Sequence, residues 1–264
     1  VTVTAPVPVE ASLRAARDER GRKLLVPYVT GGLGAEWLDV VRAFAAAGAD
    51  AIEIGIPFSD PVMDGPTIQE ASQRALDLGA TPLGIIDALG DVDVGVPLVA
   101  MTYYNLVFRS GHRRFAAALH DNGVGGAIVP DLSLEELPDW SRAADEGGVE
   151  TVLLASPVTP DDRLARLVER TRGFIYGVGI MGVTGERDRV AASALVIAKR
   201  LKAITDKPVL IGFGVSTPAH AVELAAEADG VVVASALMRR LLDGAGPNEL
   251  GQMVADLRAA LDRG

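Results

Sequence analysis

One unit recurs along the chain: an amphipathic helix that ends in Gly or Ala-Asp, followed at once by a short apolar strand. It reads AFAAAGAD-AIEIG at 43–55, LHDNGVG-GAIVPD at 119–131, ADEGGVE-TVLLAS at 144–156 and AAEADG-VVVAS at 225–235. In the helical stretch 35–47, Trp37, Leu38, Val41, Phe44 and Ala45 share one face. The strands are continuous apolar runs, the pattern of parallel strands covered by helices on both sides. Eight are predicted, near 24–29, 51–54, 97–101, 126–129, 151–154, 173–177, 208–212 and 230–233. Dividing 264 residues by eight leaves about 33 per unit, enough for a strand, a helix and two loops. The pattern therefore predicts an α/β chain folded as a (β/α)8 TIM barrel, with a doubly wound open sheet as the competing architecture. No linker-like tract divides the chain, so a single domain over 1–264 is expected. Pro6 and Pro8 suggest a loose arm over 1–9, and an extra N-terminal helix follows at about 10–20. The longest gap predicts an inserted loop after strand two, over 58–82.

Composition narrows the function. With 25 Lys+Arg against 35 Asp+Glu, the net charge is −10, which argues against nucleic acid and anionic membranes as partners. There is no cysteine, which excludes disulfides, cysteine-zinc sites, iron–sulfur clusters and thiol nucleophiles. No apolar run reaches the roughly 18 residues of a membrane span. No basic segment precedes an apolar core at the N-terminus, so a cytoplasmic location is expected. His112, His120 and His220 fall in predicted helices without metal-ligand spacing.

In a barrel of this type, chemistry sits at the C-terminal ends of the strands. Strand two carries Glu53 among Ile52, Ile54 and Ile56. Facing inward, this carboxylate would be desolvated and its pKa raised toward acid–base work; facing outward, it would meet a helix or a salt bridge. The next loop holds Asp60 and Asp64 among Pro57, Pro61, Gly65 and Pro66. Asp64 either hangs over the barrel mouth or caps the helix that starts near Pro66. Gly177-x-Gly179-x-x-Gly182 fits a dinucleotide fingerprint, but it lies on the sixth strand and lacks the acidic residue about 20 positions on. The small residues of Gly212-Phe213-Gly214 and Ala234-Ser235-Ala236 end strands seven and eight. They fit either a phosphate site built from backbone amides or tight strand-to-helix packing.

Together these residues resemble the tryptophan synthase alpha-subunit family. The resemblance rests first on Ile52-Glu53-Ile54-Gly55-Ile56-Pro57-Phe58-Ser59-Asp60-Pro61-Val62-Met63-Asp64-Gly65-Pro66. Val26 to Gly32, Tyr103-Tyr104-Asn105, Pro130-Asp131-Leu132, Met181 to Gly185 and Gly212-Phe213-Gly214 follow in the same order. It covers nearly the whole chain. It implies a lyase that cleaves indole-3-glycerol phosphate to indole and glyceraldehyde 3-phosphate by a retro-aldol reaction. By resemblance Glu53 is the acid and base, and Asp64 accepts the indole N–H. Tyr28, Met101, Tyr103, Tyr176 and Phe213 line the indole slot, and Thr184 orients Asp64. Gly185, Phe213, Gly214, Ala234 and Ser235 hold the phosphate. Ala234 stands where the family usually has glycine, so its methyl group is expected to crowd the anion. The resemblance further implies no cofactor in this chain, pyridoxal phosphate being confined to a tryptophan synthase beta subunit. That beta subunit would join it in an α2β2 complex, with Asp60, Pro61 and Asn105 near the interface. The competing readings are a free-standing indole-3-glycerol-phosphate lyase, a catalytically poor activator of a beta subunit, and another phosphate-binding barrel enzyme. A Schiff-base aldolase is disfavoured, because Lys23 and Lys207 lie at the opposite ends of their strands.

Overall fold

In the computed structural model, which describes residues 5–179, 187–212 and 214–264, eight parallel strands close into one barrel in chain order. They are β1 (Leu24–Thr30), β2 (Ile52–Gly55), β3 (Leu98–Met101), β4 (Val124–Ile128), β5 (Glu150–Ala155), β6 (Ile175–Gly177), β7 (Val209–Ile211) and β8 (Gly230–Val233). β8 pairs back onto β1 from Leu24↔Gly230 to Pro27↔Val233, and this seam closes the ring. The predicted barrel is thus the observed one, and closure excludes the open-sheet alternative.

Before β1 stands α1 (Val9–Arg14), which continues as a wider π-helical turn over Ala15–Glu19. The helices after β1 and β2 are α2 (Trp37–Ala46), α3 (Pro66–Asp77) and α4 (Pro82–Leu89). After β3 and β4 come α5 (Tyr104–Ser110), α6 (His112–Asp121) and α7 (Pro138–Glu146). Then follow α8 (Asp161–Arg170), α9 (Arg187–Lys202), α10 (Pro218–Ala225), α11 (Ser235–Leu242) and α12 (Pro247–Leu261). The insertion after strand two holds the whole of α3, which packs against α11 and β1. Among the described residues no helix is long and apolar enough to cross a membrane.

Strand residues alternate between two apolar shells, because successive side chains point to opposite faces. Leu25, Val29, Ile52, Ile54, Leu98, Ala100, Val231 and Val233 join the outer shell beneath the helices. Leu24, Val26, Ala51, Val99, Ile128, Val152, Leu210 and Val232 fill the barrel itself. Val9, Leu13 and Ala16 belong to that inner cluster and are fully buried, so α1 plugs the N-terminal end of the barrel. Val9, grouped with the loose arm in the sequence reading, is the first residue of this helix. Its amide donates to Glu150 Oε1 at 2.7 Å, and the Glu10 amide donates to Oε2 at 2.9 Å. Glu150, at the start of β5, thus satisfies two amides that a helix start leaves open.

Leu13→Ala should destabilise the fold by about 2–5 kcal/mol, because the plug cannot collapse into the space left inside a closed barrel. Denaturant unfolding of parent and variant measures this. A loss near zero would mean that the plug is not part of the cooperative core.

Candidate active site

Parity decides where Glu53 points. Ile52 and Ile54 belong to the outer shell, so Ala51, Glu53 and Gly55 face the lumen. Glu53 is 1% exposed, and its Oε2 has no hydrogen-bond partner among the described residues. Burial, reinforced by the negative charge of Asp64, pushes its pKa up to about 8. An acid held there is protonated at neutral pH and still within reach of deprotonation, which is what proton transfer in both directions requires.

Asp64 does not cap α3. The residue before that helix is Gly65, and no side chain caps its first turn. Instead Asp64 leans into the mouth, where burial raises its pKa to about 6 against the opposing effect of a hydrogen bond from Tyr103. Tyr103 ties this loop down. Its hydroxyl accepts from the Met63 amide at 3.0 Å, and its ring stacks on Phe58 with centroids 5.1 Å apart. It is itself fixed at the start of α5, where the Tyr104 amide donates to Asp131 Oδ1 at 2.9 Å. The structure thus gives Tyr103 a loop-anchoring contact, and it brings Phe58 and Asp131 into the site's framework. Phe58 and Asp131 lie in stretches that carried the resemblance, but sequence reasoning gave them no role; their part depends on how two loops meet.

Tyr28 and Tyr176 complete the wall. Burial raises both phenol pKa values above the ordinary tyrosine range, and the negative charges of Glu53 and Asp64 add to this. The two rings are seated alike. Tyr28 pairs with Glu53 across β1 and β2, and its ring lies over Gly55, two residues further on. Tyr176 pairs with Leu210 across β6 and β7, and its ring lies over Gly212, again two residues further on. Met101, inward by parity with Val99, is partly exposed at the same level, as are Leu154 and Val178. Leu154 and Val178 were absent from the sequence reading, although counting in twos from Val152 and Tyr176 finds them.

Of the residues predicted to hold phosphate, Gly214 follows β7, and Ala234 and Ser235 follow β8. Gly214 adopts φ +82°, which favours glycine. Ala234 has φ −116° and ψ −75°, so its backbone makes no demand for glycine. Ser235 is exposed and opens α11, whose first turn has no side-chain cap among the described residues. The first turn of α10 is different, because Thr217 Oγ1 already accepts from the His220 amide. Uncapped amides at a helix start suit an anion. Thr184, Gly185 and Phe213 lie outside the described residues, as does Gly182 of the glycine motif.

Asp60, Pro61 and Asn105 are not in the lumen. Asp60 and Asn105 are exposed on the rim, and Pro61 is half-buried. Large apolar side chains stand beside them in the same segments: Val62 is 80% exposed and Phe108 64%. A shallow groove of about 460 Å³ between the β1–α2 turn and α4, lined by Trp37, Leu78 and Ile85 among others, contains no titratable side chain.

Comparison with known proteins follows from this geometry. The family model described as "Tryptophan synthase alpha chain" matches residues 14–261. A tryptophan synthase alpha chain of Thermobifida fusca is 41% identical over 256 residues, covering 95% of each chain. One from Methanosarcina barkeri is 39% identical over 250 residues, covering 94% of each. Among solved structures, a tryptophan synthase chain of Mycobacterium tuberculosis superposes with a TM-score of 0.85 at 35% identity, covering 98% of this chain and 99% of that one.

The buried carboxyl has a thermodynamic signature. Between pH 4.5 and about 8 the native state keeps a proton on Glu53 that the unfolded chain has lost, so folding stability falls as pH rises through that window. Glu53→Gln removes this slope. Its Tm should nearly match that of the parent at pH 5 and exceed it increasingly up to pH 8.5. Parallel Tm curves would contradict the buried, protonated carboxyl.

Proposed function

The chain belongs to the tryptophan synthase alpha chain family, and from that premise we propose that it cleaves indole-3-glycerol phosphate to indole and glyceraldehyde 3-phosphate. The observation that carries the site assignment is the pair of carboxyl groups at the barrel mouth, one fully buried and protonated, the other half-buried and ionised at neutral pH. Their environments push their pKa values apart, the arrangement that divides acid from anion in a single site.

In this reading the Glu53 acid gives its proton to indole C3, which turns the ring into an electron-accepting indoleninium ion. The carboxylate so formed takes the proton of the adjacent glycerol hydroxyl. That oxygen becomes the aldehyde carbonyl, and the electrons of the breaking carbon–carbon bond return to the ring. Glu53 ends protonated, as it began. Asp64 accepts the indole N–H and balances the ring's positive charge; its value lies in being fixed in place before that charge develops. Tyr28, Met101, Tyr103 and Tyr176 form the slot for the flat ring, and Phe213 would line it too. Thr184 would orient Asp64. Gly214, Ala234 and Ser235, with Gly185 and Phe213, would receive the phosphate. The negative φ of Ala234 supports accommodation of its methyl group without a change of backbone.

A beta subunit is the partner that goes with this family, and an α2β2 assembly is the form we propose. Asp60, Pro61 and Asn105, together with the exposed Val62 and Phe108, supply a rim of mixed polar and apolar character suited to a protein interface. Pyridoxal phosphate belongs to the beta partner in this reading, and no step above involves it. A biosynthetic role in the cytoplasm accompanies the assignment.

The direct test is indole release from indole-3-glycerol phosphate by the purified protein, alone and with a beta subunit titrated in. Slow release that rises steeply to a plateau at equal subunits is expected. Fast release indifferent to the beta subunit would favour the free-standing lyase, and none in either condition would favour the activator. In the active preparation, kcat/KM should be bell-shaped in pH, with an acid limb near 6 from Asp64 and a basic limb near 8 from Glu53. Glu53→Gln should lose turnover while remaining folded. Asp64→Asn should lose at least about 100-fold, since a neutral amide cannot balance the indole cation. Near-normal turnover by either variant would remove it from the mechanism.

A further inference from the structure

We propose that Tyr28 and Gly55 form one positioning element: the phenol ring of Tyr28, seated on the bare Cα of Gly55, keeps water from the Glu53 carboxyl and thereby sets the protonation state in which Glu53 meets its substrate. The inference deepens the lyase reading and rests on it for the part that concerns turnover.

The geometry begins with register. Tyr28 and Glu53 are direct neighbours on adjacent strands, both inward by parity, and 3% and 1% exposed. Gly55 is the next inward residue along β2. A Cβ built there would lie 1.8 Å from the Tyr28 hydroxyl oxygen, 2.4 Å from Cζ and 2.7 Å from Cε2. The ring edge therefore occupies the space that any side chain at 55 would need. The hydroxyl is held from the other side by Thr30 Oγ1 at 3.2 Å, and Thr30 is fully buried. A ring wedged in this way stays beside the Glu53 carboxyl.

Glu53 is sensitive to such a cover. Its Oε2 has no partner among the described residues, so the access of water, rather than a hydrogen bond, governs the cost of its charge. Asp64 from the β2–α3 loop is the charge that acts on it, and Tyr28 from β1 and Tyr176 from β6 are the phenols that in turn feel its charge. Asp64 pushes in the same direction as burial, and neither phenol supplies a positive charge. Displacing the Tyr28 ring would admit solvent and favour the ionised form.

The second tyrosine–glycine pair separates packing from chemistry. Tyr176 over Gly212 repeats the seating, with a Cβ at 212 falling 2.0–2.1 Å from the ring. Yet its cross-strand neighbour is Leu210, where β2 has Glu53. Tyr176 also feels the charge of Glu53 from across the lumen, but only the β1–β2 pair seats its ring on the acid's own strand, directly beside the acid in register. Glycine within a strand forgoes side-chain packing and often marks a close approach. At 55 the approaching group is Tyr28.

A double-variant cycle tests this, with Gly55→Ala, Tyr28→Leu and the two combined, read by indole release against pH. Gly55→Ala should lower kcat/KM by about 30-fold or more and move the basic limb toward lower pH by about one unit. Tyr28→Leu should move the limb in the same direction. In the Tyr28→Leu background, adding Gly55→Ala should change kcat/KM by less than about 3-fold and move the limb no further, because the clashing ring is gone. Independent, multiplying effects of the two substitutions would overturn the proposal, as would an unmoved limb in Tyr28→Leu. If Gly55→Ala alone fails to fold, the combined variant must still fold and behave like Tyr28→Leu; its collapse would also overturn the proposal. Thermal unfolding provides a readout that needs no turnover. The fall in Tm between pH 5 and 8.5 should be shallower in Tyr28→Leu than in the parent, and an unchanged slope would count against the cover. A parent that releases no indole while showing these Tm slopes would sink the lyase reading and leave the cover standing.

Discussion

A closed parallel barrel leaves each strand residue two destinations, the lumen or the layer beneath the helices, and they alternate without exception along an unbroken strand. The site depends on that constraint. In Ala51-Ile52-Glu53-Ile54-Gly55 the two isoleucines secure the outer layer, and their burial drives the carboxyl of Glu53 into an apolar interior it would otherwise avoid. Many apolar contacts carry the unfavourable desolvation of one acid. An open sheet would offer Glu53 a route to solvent, and its proton affinity would fall.

The two ends of the barrel treat charge in opposite ways. At the N-terminal end, acids are paired. Asp50 Oδ2 accepts from the Leu25 amide at 2.9 Å and meets Arg258 at 3.2 Å. Asp229 Oδ2 accepts from the Val209 amide at 2.9 Å, while Lys202 and Arg17 lie beside it. Each follows an alanine just before its strand, so the recurring Ala-Asp of the sequence is a device for ending the ladder and tying it to the helices. At the other end Glu53 has no cation against it among the described residues. The arrangement matches the general division of such barrels into a stabilising face and a reactive one.

The fold was legible because eight similar units leave few ways to bury so many two-sided strands. The site was legible in part. The direction of Glu53 was readable in principle from the isoleucines on either side of it. Asp64 was ambiguous because Asp before Gly-Pro is an ordinary way to begin a helix; what draws it inward is the anchoring of its loop by Tyr103, a residue nearly 40 positions away. At Ala234 the backbone, with its negative φ, does not itself require glycine, and the expected crowding of the anion by the methyl group concerns the ligand and not the fold. The seating of Tyr28 depends on the stagger between β1 and β2, and no local pattern states that stagger.

The N-terminal plug has a consequence for the order of assembly. α1 leaves the ribosome before every strand of the barrel, yet the carboxylate that satisfies its opening amides lies 141 residues later and its apolar seat includes Phe174. Six residues of helix are too few to persist alone in water. This segment, made before the strands, is therefore among the last to dock, and until β5 and β6 arrive its apolar face has no place in the molecule. Closing a loop of that length delays the contact far more than it weakens it. Sealing the barrel floor is thus a late event that reports on whether the strands above it have already formed.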